Sequence, residues 1–497
     1  MLKKSDLFDL IKSLDAYEKR YLVMRGNKEE GAASGYLTLL KEIAGIENYT
    51  EEAMKQAIAS VSDSDKSEVK KYYFYHWILK HLSDYHASEY NHSRELNSIN
   101  LLIDRSLYDQ ANSMIQSVKE VWKKAEKYPQ LFAVLELEIK ISKYQETSNP
   151  LSLLEETGEL TKQYADLKAL ELIKHQFRLI LDRNIYVRCE KDKKEIEKIT
   201  DSSLLSKNKK GNHGLLINYN RNLILYWKNA TYCDWETAYR YAFKNYKLMF
   251  AEPDTLVNLP DETLNAIYIT LISSSLSNSR IYKEVVRKIK KISYSEMNSR
   301  IKDDVNFIIH FTNLIQFNNH SRENKDDTKV KEAEEYISIN RSKFSKIRLN
   351  SYYFDLAKAY FYLAEYQKCH SILNEIFQNL KVSGSTLDFY IHSRILDCLA
   401  CFENESYELI FYTAKATETF MSRKKIEHHF EKRFLHFIMR DLSNFNDWNK
   451  QKKISKLEQL KKELAEILTS SYERPVLSFL DYNGWINKKL DLLKEIV

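Results

Sequence analysis

Glycine and proline are scarce in this sequence. Nine Gly and five Pro make 14 of 497 residues, where an average chain carries roughly 12% of the two together. Sheet proteins use those residues for hairpin turns and bulges, so the shortage argues against all-β and doubly wound folds. Helices joined by short polar turns need few of them. Cysteine is sparse as well: five residues, an odd number and too few for a disulfide framework. No run approaches the ~18 uninterrupted apolar residues of a membrane helix. Acids interrupt the apolar residues of the opening "MLKKSDLFDLIKSLDAYEKR", so it does not read as a secretory signal. A cytoplasmic location with no membrane partner is the expectation.

Catalytic motifs are missing too. The sequence has no H-E-x-x-H, no G-x-x-x-x-G-K-S/T, no G-x-G-x-x-G and no G-x-S-x-G. Nine glycines leave little from which to build phosphate-cradling loops. No catalytic residue, cofactor or metal site is expected, and the chain is read as a non-enzyme. Net charge is small, with 76 Lys and Arg against 70 Asp and Glu, and does not by itself announce nucleic acid.

What is present is helical periodicity. Leu7, Leu10, Ile11 and Leu14 recur at helical spacing behind Ser5 as a candidate N-cap. Asp15 and Glu18 have the spacing of a capping box. A third helix should end near Gly45, and Asn149-Pro150 should open another. "SKNKKGNHG" (206–214) reads as a linker and "NNHSRENKDDTK" (318–329) as a surface loop. The organisation expected is an N-terminal helical domain (1–93), a first helical-repeat segment (94–205), further repeats (215–470) and a C-terminal capping helix (471–497).

Within "YFDLAKAYFYLAEYQKC" and its continuation, the large residues Tyr353, Leu356, Tyr360, Tyr366 and Leu373 are interleaved with the small Ala357 and Cys369. Small residues let two helices approach closely while large ones fill the space on either side. The pattern closely resembles a tetratricopeptide repeat. Weaker copies start near 219, 266 and 391, so units spaced by 47, 84 (two units) and 41 residues are longer than that family's roughly 34. The resemblance implies an all-α fold of helical hairpins stacked as a tetratricopeptide-like α-solenoid. The opening "LIKSL…EKRY" and closing "FLDYNGWINKKL" also resemble a bacterial family of all-helical proteins with no established activity.

On that resemblance the inner face of the solenoid carries Trp227, Phe354, Lys358, Phe361 and Tyr362. An aromatic groove with one Lys suits an amphipathic helix or extended peptide of a partner protein. Phe354 and Trp227 stand where carboxylate-clamp repeats carry Lys and Asn, so capture of a free C-terminus is not implied. The groove has a competing occupant, since the C-terminal helices could fold back over it. The other function class is a nucleic-acid-associated regulator. Residues 183–214 hold nine Lys/Arg against five acids, with Lys207, Lys209 and Lys210 as candidate anion contacts. A solvated linker explains the same charges.

Two further clusters read as packing. Cys398 and Cys401 of "CLAC" fall at repeat packing slots and lack a second Cys or His pair in sequence. They are expected to be buried, reduced and metal-free. His429 and His436 flank Phe430, Phe434 and Phe437 as a polar stripe. At the C-terminus, Trp485, Leu490 and Leu493 form an apolar face suited to covering the last hairpin.

Overall fold

The computed structural model describes residues 5–495 apart from 29–31, 47–48, 60–66, 86–91, 145–148, 207–213, 252–254, 256–258, 278–281, 291–298, 322–326, 380–383 and 385. No strand occurs among the described residues, so the chain is all-α. It divides into two compact units, Met1–Thr157 and Gly158–Val497.

The first unit holds α1 (Asp6–Ser13), α2 (Ala16–Gly26), α3 (Ala32–Gly45), α4 (Glu51–Ala59), α5 (Ser67–Tyr85), α6 (His92–Asp104), α7 (Tyr108–Lys124) and α8 (Tyr128–Ser142). The division falls within α9 (Pro150–Leu181). Asp15 Oδ1 accepts from the Tyr17 and Glu18 N–H groups at 2.8 Å, while Glu18 accepts from the Asp15 N–H at 2.8 Å. That is the reciprocal capping box. Asn149 Oδ1 accepts from the Leu151 N–H at 3.1 Å, and Pro150 opens α9. Ser5 makes no side-chain cap, contrary to its reading as an N-cap. Its backbone is already helical (φ −90°, ψ −15°), whereas the capping geometry needs an extended residue. Leu7, Ile11, Leu22, Leu39, Ile43, Phe74 and Ile78 form the core of α1–α5. Farther on, Lys119 is buried between Glu138 and Glu156, each 2.7 Å from its Nζ.

The second unit continues with α10 (Glu190–Thr200), α11 (Leu215–Thr231), α12 (Trp235–Met249), α13 (Pro260–Leu276), α14 (Tyr282–Lys290), α15 (Ser299–Gln316) and α16 (Thr328–Asn340). Then come α17 (Lys346–Tyr362), α18 (Tyr366–Asn379), α19 (Thr386–Glu403), α20 (Tyr407–Arg423), α21 (His429–Phe437), α22 (Lys450–Ile467) and α23 (Tyr482–Glu495). Most helices pack on the next in sequence. In addition α13 packs on α15, α15 on α17, and α17 on α19, so alternate helices line up in a row. The residues at the repeat slots of 353–373 behave as steric logic requires: Leu356, Ala357, Tyr360, Cys369 and Leu373 are buried in one core.

The hairpin turns explain how the chain manages with so little glycine. Among the described residues, six turns carry a non-glycine residue in the left-handed region: Ser106, Glu126, Cys233, Ala364, Glu405 and Lys425, with φ between 49° and 64°. Each closes the same pair of hydrogen bonds. At the α17–α18 turn, the Glu365 N–H donates to Tyr360 O at 2.9 Å and the Ala364 N–H to Phe361 O at 3.1 Å. This is the Schellman arrangement, usually built on glycine. Ala364 and Glu405 lie 41 residues apart, the same as one of the unit spacings read from the sequence.

The surface loop expected at 318–329 is partly something else. A π-helical turn, Phe317–Ser321, extends α15, and Thr328 already belongs to α16. Asn318 is buried, donating through Nδ2 to Asp355 O at 2.9 Å and to Asp355 Oδ1 at 3.1 Å. A π-turn rotates the following side chains relative to an α-helix, and a buried amide needs partners. Asp355 supplies them for the amide nitrogen.

Candidate functional site

The row α13–α15–α17–α19 faces a cavity of about 170 Å³. Tyr268, Ile272 and Leu276 enter it from α13, Phe311 and Ile315 from α15, Ser351, Phe354 and Lys358 from α17, and Phe389 from α19. Tyr186 and Trp235 line it as well. The chain's own C-terminal segment lines a further side. A 3-10 turn, Arg474–Ser478, delivers Ser478 and Phe479 to the cavity. The Phe479 ring meets Tyr186 at 5.6 Å, Phe389 at 5.7 Å and Phe354 at 6.4 Å, edge to face, and stacks on His392 at 4.1 Å. Edge-to-face contacts of this kind add to the burial energy.

Polar groups hold both walls. Lys358 Nζ lies 2.9 Å from Asp355 Oδ1, with both side chains almost wholly buried. The C-terminal segment is fixed by the Asp481 N–H, which donates to Tyr362 Oη at 3.3 Å. Farther along, Trp485 Nε1 donates to Glu403 Oε1 at 2.7 Å, and Lys489 Nζ lies 2.6 Å from Glu403 Oε2.

Behind Phe479 sits a buried ionic cluster. Arg188 Nη2 donates to Glu431 at 2.8 and 3.0 Å and to Glu473 at 3.4 Å. Glu473 in turn accepts from the His429 and Phe430 N–H groups at the start of α21. His392 Nε2 lies 3.3 Å from Glu431 Oε1, and His392 Nδ1 lies 2.6 Å from Tyr482 Oη. Burial alone would push the Glu431 carboxyl up, but the Arg188 charge and the neighbouring His392 and His428 hold it well below its usual range. Burial pushes His392 below its ordinary value, against the pull of Glu431. His392 thus stands between the Glu431 carboxylate on its Nε2 side and the Tyr482 hydroxyl on its Nδ1 side.

The residues assigned to an inner face do not all come together. Phe354 and Lys358 line the cavity. Phe361 is buried against the rings of Tyr362 and Tyr366. Trp227 packs on Phe177 of α9, 5.9 Å between centroids, and is not among the cavity-lining residues. Lys207, Lys209 and Lys210 lie outside the described residues. Within the same basic segment, Arg188 is committed to the buried cluster and Arg183 pairs with Glu195. Phe430, Phe434 and Phe437 are fully buried, while His429 is exposed.

Sequence reasoning missed Arg188, Glu431, Phe479 and His392. One signal was available for Glu431: it stands beside Phe430 and three residues before Phe434 on a helix whose phenylalanines are all buried. Away from the cavity, His370, Asp397 and Cys401 bring three ligand-type atoms within 4.8 Å of one another. No protein-family model, curated protein sequence or solved structure matches the chain.

Proposed function

We propose that the chain is a tetratricopeptide-like α-solenoid, capped by its first helices and by α23, that serves as a non-enzymatic cytoplasmic scaffold and takes a peptide or helix of a partner protein in its aromatic cavity. The row of alternate helices and the repeated hairpin turn support the architecture. The observation that carries the binding role is the cavity's aromatic lining. The C-terminal turn adds one aromatic side chain, Phe479, to a wall of aromatic rings and leaves the space beside it free. A cavity of about 170 Å³ compares with the roughly 150 Å³ that admits a benzene molecule in an engineered apolar site. It therefore suits one aromatic or branched anchor, as helix and peptide receptors do.

Selection of displayed random peptides on the full chain tests this. The expected winners share an aromatic anchor and lose binding to the Ser351→Trp chain, in which the half-buried Ser351 at the cavity wall is enlarged. Tyr412→Ala, at an exposed position on α20, should leave them bound. Peptides indifferent to Ser351→Trp would contradict the assignment.

A further inference from the structure

We infer that His370, Asp397 and Cys401 form a binding site for a divalent transition cation, zinc by preference, that ties α18 to α19. The sequence reading counted Cys401 as a packing residue because no second ligand pair was in sight. The fold supplies the others. Asp397 and Cys401 are one helical turn apart on α19, so their side chains share a face. His370 projects from α18, which packs against that face. His370 Nδ1 lies 2.6 Å from Asp397 Oδ1 and 3.8 Å from Cys401 Sγ.

These separations are close to what a bound ion requires. Zinc holds nitrogen and oxygen ligands at about 2.0–2.2 Å and sulfur at about 2.3 Å in a tetrahedron, which puts neighbouring ligand atoms roughly 3.3–3.8 Å apart. The imidazole–thiolate pair already stands there, and the imidazole–carboxylate pair has only to open by about an ångström. Imidazole, carboxylate and thiolate together suit zinc or cobalt and disfavour magnesium or calcium, which want oxygen. Asp397 and Cys401 are buried, whereas the His370 side chain is 37% exposed, which leaves a path for the ion and a fourth position for water. Ligating histidines also have their other nitrogen held. Asn374, one turn along α18, has its Nδ2 3.1 Å from His370 Nε2, and turning the amide over would bring its oxygen to accept from Nε2–H once the ion is bound.

The test is cobalt titration of the reduced, chelator-treated full chain, followed by thiolate-to-cobalt charge-transfer absorption. One equivalent of cobalt should develop the band, and zinc should displace it. Cys401→Ser should abolish the band, and His370→Ala, at a partly exposed position, should weaken binding at least about tenfold. Asn374→Ala should weaken it about 10- to 100-fold. Cys398→Ser should retain the band. Circular dichroism of each variant checks the fold independently of the metal. Absence of a band in the wild-type chain, or a band that persists in Cys401→Ser, would overturn the site.

Discussion

Arg188 and Glu431, 243 residues apart in sequence, meet in the core with Nη2 2.8 Å from Oε1, and the two side chains are 4% and 0% exposed. This contact joins the start of the second unit to α21, and Glu473 extends it to the turn that carries Phe479. A buried pair is costly to break because the abandoned charge stays in low dielectric. Arg188→Met strands Glu431 and Glu473 and is expected to destabilise the second unit by about 3–5 kcal/mol. Urea unfolding followed by circular dichroism measures this, and a loss below ~1 kcal/mol would show that the cluster is hydrated.

The same cluster sets a pH dependence. His392 has a folded pKa below its unfolded value, so the unfolded chain takes the proton first as pH falls through about 6.5, and stability drops. Glu431 is also depressed, so its contribution is present above about 4.5 and is lost below it. In a His370→Asn chain, which removes the opposing contribution of the His370 imidazole raised by Asp397, denaturation midpoints should therefore fall in two stages, between pH 7 and 5.5 and again below pH 4.5. A midpoint that rises on acidification to pH 5.5 would contradict the burial of His392.

The six left-handed turn residues give a prediction of opposite sign. A side chain there costs about 1–2 kcal/mol, part of which glycine gives back as unfolded-state entropy. Glu405→Gly and Lys425→Gly should each stabilise by about 0.5–1 kcal/mol, read from melting temperature. Gly384 is the reverse case. Its φ is +51°, and a Cβ would lie 2.1 Å from Asp182 O, so Gly384→Ala should destabilise.

Much of this fold was legible because helical period reports which face of a helix is covered. The slots Leu356, Ala357, Tyr360 and Leu373, the Asp15–Glu18 box and the Asn149-Pro150 start all follow from local spacing. Period does not report which distant segment does the covering. Phe354, Lys358 and Phe361 are buried because the C-terminal turn and neighbouring helices close the second face of α17. The string "YYFDLAKAYFYL" carries aromatics on more than one face, which is the mark of a helix buried all round. Arg188 looked like part of a basic linker because its partner lies 243 residues away. Asp397 and His370 were hidden for a related reason: each stands next to a packing slot, and only the α18–α19 contact brings them together.

Trp485 anchors α23, with its ring against Phe402 and Phe434 and its N–H on Glu403. Trp485→Ala should cost about 3–5 kcal/mol and expose apolar surface on α19 and α21. Increased binding of a hydrophobic dye and a lower unfolding midpoint are the expected signs. Unchanged values for both would remove the capping role given to α23.

The central claim is that the cavity beside Phe479 takes an aromatic anchor from a partner segment. Fluorescence anisotropy of a labelled peptide copying residues 474–487 tests it on full-length chains. Loss of an aromatic anchor is worth about 2 kcal/mol or more at such a site, and 1.4 kcal/mol is tenfold in affinity. The Phe479→Ala chain, in which the place of that ring at the cavity wall is vacated, should bind the peptide at least about tenfold more tightly than wild type, and adding Ser351→Trp should abolish binding. Equal affinity for the wild-type and Phe479→Ala chains, or no binding to either, would contradict the account.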